Sequence, residues 1–174
     1  RGSVGTAVHA IVSLVDRLPA DARQFSDVWR THVTPAGVVF QGERFIFRLA
    51  GDALQVLRPQ SRFNRSSMVD GRLHVVTPET GLNVLEGDTF RALPGTEALG
   101  REQYPVVLPY GDGRLLVGTR AGGLWLYDGT ALSRFPTDLD AEWPSMVLYR
   151  GTALPDGSFA LATTTSGLMI LDRQ

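Results

Sequence analysis

The chain alternates short apolar runs with turns rich in glycine and aspartate. Between Gly111 and Gly129 the sequence reads as a turn, the run "RLLV", a second turn, the run "GLWLY" and a third turn. An Asp-Gly pair between two apolar runs is a strong hairpin signal, because a tight turn there needs residues with positive φ. Apolar runs of this length, bounded by turn residues, predict β-strands joined by hairpins.

The same unit recurs along the chain. Three turn glycines are each followed, ten residues later, by the glycine that opens the next apolar run: Gly71 and Gly81, Gly113 and Gly123, Gly157 and Gly167. A copy with one residue fewer in its second turn begins at Gly37. A last strand follows the third turn of a unit, as in "LSRF" and "FRAL". Each unit of about 40 residues therefore predicts four antiparallel strands.

The middle strands of each unit are apolar on both faces, which indicates that both faces are covered. A four-stranded sheet covered on both sides by copies of itself is a propeller blade. The 19 Gly and 10 Pro interrupt the chain too often for long helices, and only Asp16–Phe25, limited by Pro19, could form a helical turn. We therefore predict an all-β fold, a β-propeller of four-stranded antiparallel blades, with a sandwich or a solenoid as the alternative.

The repeat divides the chain into three full blades and two partial ones. The predicted blades are 3–24 (partial), 27–57, 66–93, 105–135 and 146–171 (partial, without a fourth strand). The first begins inside a second strand, since Ser3–Thr6 matches Leu116–Thr119, and it continues through His9–Val15. The two ends supply strands that overlap rather than complement each other. We expect a piece of a larger propeller, or a ring closed through another chain, with open edges that favour a homo-oligomer.

Composition narrows the function classes. The net charge of −1 argues against a nucleic-acid partner, which a basic surface would bind. The absence of cysteine excludes disulfides and thiolate metal sites, and no run approaches the roughly 18 apolar residues of a membrane-spanning helix. The histidines His9, His32 and His74 are scattered without a metal-ligand partner at close spacing. We expect no metal and no cofactor.

No catalytic constellation stands out. The aspartates Asp70, Asp112 and Asp156 occupy one repeat position, which favours turn chemistry over catalysis. A glycosidase needs two carboxylates that face each other across a pocket, and the spacing singles out no such pair. We predict that this segment is not an enzyme, with a propeller lyase or glycosidase as an alternative.

The unit from Gly111 to Gly129 resembles the two-component regulator propeller repeat. The matching residues are Asp112, Gly113, Val117, Gly118, Thr119, Gly123, Leu124, Trp125, Tyr127 and Asp128. Two other units depart from this repeat, because Val76 and Ala162 occupy the repeat position that Gly118 occupies in this unit. The resemblance implies a periplasmic or otherwise extracytoplasmic sensor region. Its parent would be a membrane-anchored bacterial signalling protein with a kinase or cyclase output.

Candidate binding residues lie in the loops that depart from the repeat. In a propeller the loops between blades and the turns of the middle hairpins share one face. The candidates on these loops are Arg62, Asn64, Arg65, Arg101, Gln103, Tyr104, Arg120 and Trp143. Arginine can pair with carboxylate or phosphate, and tryptophan or tyrosine can stack on a ring. The alternative is that the aromatic residues pack between blades and the arginines are solvated.

These observations predict a segment that senses a ligand or a partner in a bacterial transmembrane receptor. The ligand or partner would contact the loop face, and binding would shift the receptor between two states. The alternative is a non-catalytic scaffold for protein interaction or dimerisation. The two differ in whether the loop face holds a pocket with converging polar groups.

Overall fold

The computed structural model describes residues 10–102, 105–120 and 122–173. The strands are β1 (Val28–Thr34), β2 (Gly37–Gly42), β3 (Ile46–Ala50) and β4 (Ala53–Leu57) in the first sheet; β5 (Ser66–Val69), β6 (Arg72–Thr77), β7 (Gly81–Glu86) and β8 (Thr89–Ala92) in the second; β9 (Val106–Gly111), β10 (Arg114–Thr119), β11 (Gly123–Tyr127) and β12 (Leu132–Phe135) in the third; β13 (Leu148–Ala153), β14 (Phe159–Thr163) and β15 (Leu168–Leu171) in the last. Neighbouring strands are antiparallel and follow chain order, and the sheets form a four-blade β-propeller. The predicted fold class is confirmed.

Two of the Asp-Gly pairs form the tight turn that the sequence predicts. Asp70 and Gly71 have φ values of 49° and 72°, and Asp112 and Gly113 have 53° and 73°. Two successive positive φ angles define a type I′ turn, whose twist matches that of the flanking strands. In the last blade only Gly157 of the pair has a positive φ, and a wider loop joins β13 to β14. All three aspartates therefore lie in turns.

The apolar runs are buried on both faces because sheets pack on either side of them. In β10, Leu115 and Val117 pack against the second sheet, whereas Leu116 packs against the last sheet. This alternation follows the period of two along a strand. Between the first and second sheets, Phe63 is fully buried, and its ring lies 4.9 Å from that of Phe90.

The N-terminal segment differs from the prediction of a partial blade at 3–24. Residues 10–24 form no strand, and residues 3–9 lie outside the described residues. Two short 3-10 helices, Val15–Arg17 and Ala20–Ala22, lie on either side of Pro19. Proline lacks a backbone donor for a sheet, and Leu18 instead packs with Phe45 and Phe47 of the first sheet. Leu18 and Ala22 thus cover part of one face of the first sheet.

Within the described residues the last sheet has three strands, and apolar side chains on one of its faces are exposed. Phe159 and Leu161 of β14 are buried against the third sheet. On the edge strand β15, Leu168 is 86% exposed and Ile170 is 67% exposed. Among the described residues no further strand pairs with β15, and a homo-oligomer through open edges stays a prediction. Among the residues that the structure describes, no helix reaches the length and apolarity that a membrane span requires.

The turn between β11 and β12 should stabilise the fold less at acidic pH than at neutral pH. The Asp128 carboxylate accepts hydrogen bonds from the amide of Ala131 and from the hydroxyl and amide of Thr130, which lower its pKa from 3.8 to about 2. A lowered pKa stabilises the fold above the unfolded value of 3.8, and this stabilisation is lost as the pH falls through about 2. Replacing Asp128 by alanine should lower the melting temperature at about pH 6. The difference in melting temperature between Asp128→Ala and the parent chain should become smaller below about pH 4.

Thermal unfolding followed by circular dichroism across this pH range checks the prediction. The control is Asp138→Ala, because Asp138 is an exposed aspartate of the following loop. If the difference in melting temperature between Asp128→Ala and the parent chain did not change with pH, the role of the carboxylate charge would be contradicted.

Candidate functional site

The first strand of each sheet lies next to the centre of the propeller. β9 contacts both β5 and β13. β1 is joined to β5 through His32, whose Nε2 lies 2.8 Å from Ser66 Oγ. A cavity of about 120 Å³ opens between these strands. It is lined by residues from all four sheets: Arg30, Arg65, Ser67, Pro105, Val106, Val107, Arg150 and Gly151.

Three of these residues, Arg30, Arg65 and Arg150, form what we call the central arginine cluster. Arg30 is half-buried and donates from Nη1 to the carbonyl oxygen of Ser66 at 2.7 Å. Arg65 donates from Nη1 to the carbonyl oxygen of Tyr149 at 2.8 Å. The guanidinium carbons of Arg65 and Arg150 lie 5.2 and 5.4 Å from the centre of the Tyr149 ring. The cluster thus joins the first, second and last sheets.

The cluster concentrates positive charge in a partly buried place. Burial, followed by repulsion from Arg65 and Arg150, lowers the pKa of Arg30 from its ordinary value to about 10. Its guanidinium therefore stays charged at neutral pH, but at a free-energy cost. A hydrogen bond with Arg150 is the main cause that lowers the pKa of the Tyr149 hydroxyl. Each of these shifts has the sign expected where cations crowd together, and an anion would relieve the repulsion.

Buried hydrogen bonds position Arg65. The side chain of Gln41 is fully buried, and its amide donates to the carbonyl oxygen of Asn64. The Gln41 side-chain oxygen accepts from the amide of Ser66 at 3.1 Å and from its hydroxyl. The residues on both sides of Arg65 are therefore held to β2. Unpaired polar groups at this depth would be costly, so the bonds define the path of the loop.

Strand irregularities place the other two arginines. The pairing of β1 with β2 shifts between Val28 and Arg30, and the pairing of β13 with β14 shifts between Leu148 and Arg150. A shift of this kind inserts an extra residue and redirects the side chains that follow. In both strands the extra residue is aromatic, and the arginine comes directly after it.

The sequence carries a signal for this cluster that the repeat analysis missed. Arg30 and Arg150 each stand seven residues before the turn glycine of their unit, and Arg65 stands six residues before its own. The same position in the third unit holds Val106. Arginine thus occupies one repeat position in two of the four units and the next position in a third, and neither turn geometry nor the apolar core explains this recurrence.

Of the predicted site residues, the structure brings Arg65 into the cluster and places others elsewhere. Arg62 is exposed, with Nη1 4.0 Å from the Glu43 carboxylate. Asn64 is buried and donates from Nδ2 to the carbonyl oxygen of Glu102 at 3.0 Å. Asn64 therefore connects two linking loops.

The remaining predicted residues are dispersed. Arg101 is exposed at the end of a 3-10 helix, Glu97–Arg101, and Arg120 is exposed in the turn after β10. Trp143 is buried between the third and last sheets, where its Nε1 donates to Thr137 Oγ1 at 3.1 Å. Its ring is therefore not available to a ligand. Gln103 and Tyr104 lie outside the described residues.

A second cavity, of about 470 Å³, runs along β6–β8 beside the loop 58–63. Three of its polar side chains bond to one another: Thr80 donates to Asn83 Oδ1 at 3.0 Å, and Asn83 Nδ2 donates to Thr77 Oγ1 at 3.2 Å. These three side chains therefore have hydrogen-bond partners within the chain. In the described part of the chain, no three His, Asp or Glu side chains group as metal ligands.

Comparison with known proteins supports the fold. No protein-family model and no curated protein sequence matches the chain. Among solved structures, the chain is similar to the extracellular domain assigned to the hybrid two-component system BT4673 of B. thetaiotaomicron, with a TM-score of 0.63 and 19% sequence identity. The two chains share a propeller fold. The match covers 86% of this chain and 20% of that domain, so this chain spans about a fifth of its length.

A second solved structure is the extracellular domain assigned to the hybrid two-component system BT3049 of the same organism. It is 12% identical, and the match covers 95% of this chain and 34% of that one. Its TM-score of 0.31 is too low to support a common arrangement of the sheets.

Proposed function

We propose that this chain is a sensing segment of a bacterial transmembrane signalling receptor and lies outside the cytoplasm. The observation that carries the proposal is the convergence of three arginines, from three sheets, on one central cavity. The propeller fold shared with a domain described as extracellular supports it. The resemblance of Asp112–Asp128 to the two-component regulator repeat supports it as well.

The arrangement suits a sensor because the cavity lies between sheets rather than within one. A ligand that contacts Arg30, Arg65 and Arg150 touches the first, second and last sheets at once. Its binding free energy then depends on how the sheets are placed relative to one another. A ligand shifts an equilibrium only by its difference in affinity for the two states, and contacts across sheets can supply this difference.

The alternative is a scaffold that binds another protein chain. The exposed Leu168 and Ile170 of the edge strand β15 favour it, since an open edge can pair with a further strand. Light scattering on the purified chain separates the two. A dimer that dissociates when Ile170 is replaced by lysine would favour the scaffold, and a monomer would favour the sensor. Neither proposal assigns a reaction to this segment.

The sensing role is tested in the full-length parent receptor in its host, with a transcriptional reporter of its output. Disrupting the propeller core with Leu116→Ala should abolish induction by growth media that activate the receptor, because the folded propeller would carry the signal. The exposed substitution Asp52→Ala should leave induction unchanged. Membrane immunoblots establish equal receptor levels. Normal induction with Leu116→Ala at equal levels would show that the segment does not sense.

A further inference from the structure

We propose that the central arginine cluster binds a small oxyanion group, a carboxylate or a phosphate, of the sensed ligand. The inference rests on the proposed function and deepens it by giving the chemical class of the ligand. The cluster joins Arg30 of β1, Arg65 before β5 and Arg150 of β13 around one cavity.

The hydrogen-bonding chemistry of the cluster matches an oxyanion. A guanidinium group presents five N–H donors in a planar fork that fits carboxylate and phosphate oxygens. Arg30 donates one N–H, from Nη1, to the carbonyl oxygen of Ser66. Ser67 also lines the cavity, and a serine hydroxyl can donate a hydrogen bond. Residues with donor groups from three strands and a loop therefore surround one space.

The charge of the site also favours an anion. Three guanidinium groups meet in a chain whose net charge is −1, so the concentration of cations is local. The cations that lower the pKa of Arg30 are Arg65 and Arg150, which shows that the repulsion acts across sheets. Among described groups, those that act on the pKa of Arg30 include no carboxylate. An oxyanion between the guanidiniums would replace repulsion with attraction.

The size and walls of the cavity limit the ligand. Its volume of about 120 Å³ holds a small anionic group rather than a complete oligomeric ligand. The third sheet contributes Val106 and Val107, which are apolar, where the other sheets contribute arginine. The site therefore has a cationic side and an apolar side, and the apolar side can contact the hydrocarbon part of an organic anion.

The test uses the purified chain, with sodium phosphate, sodium succinate and sodium chloride at matched ionic strength. Phosphate or succinate should raise the melting temperature saturably, whereas chloride should not, because binding to the folded state stabilises it. Titration calorimetry gives the dissociation constant. Arg30→Gln and Arg150→Gln should each weaken binding by roughly tenfold or more, since each removes charge-assisted hydrogen bonds. The anion with the lower dissociation constant shows whether the site prefers a phosphate or a carboxylate.

The control is Arg72→Gln, since Arg72 is exposed and bonded to Glu86 on the second sheet. It should bind the anion as the parent chain does. Arg150 is exposed, so Arg150→Gln tests binding even if Arg30→Gln disturbs the contact with Ser66. The inference would be overturned if phosphate and succinate raised the melting temperature no more than chloride does. It would also be overturned if Arg72→Gln and Arg150→Gln weakened anion binding equally. If induction of the reporter were still lost with Leu116→Ala, the sensing role would remain supported, and only the oxyanion ligand class would be rejected.

Discussion

Replacing Gly81 by alanine should destabilise the protein by about 3 kcal/mol or more. Gly81 opens β7 with a φ of 73°, which costs an L-residue about 1–2 kcal/mol. A Cβ placed there would also lie 1.9 Å from the carbonyl oxygen of Thr96, in the loop that links the second and third sheets. Backbone at this distance can yield only if the linking loop moves. Urea unfolding at 25 °C, followed by tryptophan fluorescence, measures the loss.

The matched control is Gly51→Ala. Gly51 has a φ of 55°, and a Cβ there meets nothing within 4 Å. Its replacement should cost only the backbone strain, about 1–2 kcal/mol. Equal losses at Gly51 and Gly81 would show that the loop at Thr96 does not press on β7.

Replacing Trp143 by alanine should cost about 3–5 kcal/mol of unfolding free energy. Trp143 is 2% exposed and fills the space between the third and last sheets with Leu116 and Phe159. Removing the ring leaves a cavity that the strands cannot close without moving, and it leaves Thr137 without its indole partner. Denaturant unfolding again provides the measurement.

The milder variant Trp143→Phe separates packing from hydrogen bonding. It keeps an aromatic ring and removes the donor to Thr137, so it should cost about 1–2 kcal/mol. It should also leave anion binding unchanged, because Trp143 does not line the central cavity. A loss below about 1 kcal/mol with Trp143→Ala would mean that the ring is exposed, and a role in ligand binding would then regain support.

The repeated glycines show where pattern reasoning succeeded and where it stopped. Gly81, Gly123 and Gly167 all have a positive φ, of 73°, 78° and 81°, so a local requirement explains their recurrence. Their surroundings nevertheless differ. A Cβ on Gly123 would lie 2.9 Å from Trp143, whereas one on Gly167 would meet nothing within 4 Å. Among the described residues the last sheet has three strands, whereas a fourth strand and a linking loop follow the middle hairpins of the second and third sheets.

The candidate site was predicted only in part. Arg65, in a linking loop, lines the central cavity, and a binding role for the predicted loop residues stays a prediction. Trp143 is buried, although large aromatic residues in loops can mark either a binding surface or a core contact. Arg30 and Arg150 were missed because they lie in strands, where the repeat analysis assigned every position to scaffold.

The amino-acid sequence by itself determined the strands, the hairpins and the four-stranded sheets. These depend on interactions between residues close in the chain: positive φ at Asp-Gly turns, and an apolar period of two along each strand. The tertiary structure alone decided that Arg30 and Arg150, near opposite ends of the chain, meet at one cavity. Strand patterns do not specify which strand of a sheet lies at the centre. They therefore cannot predict that charged side chains from different sheets meet there.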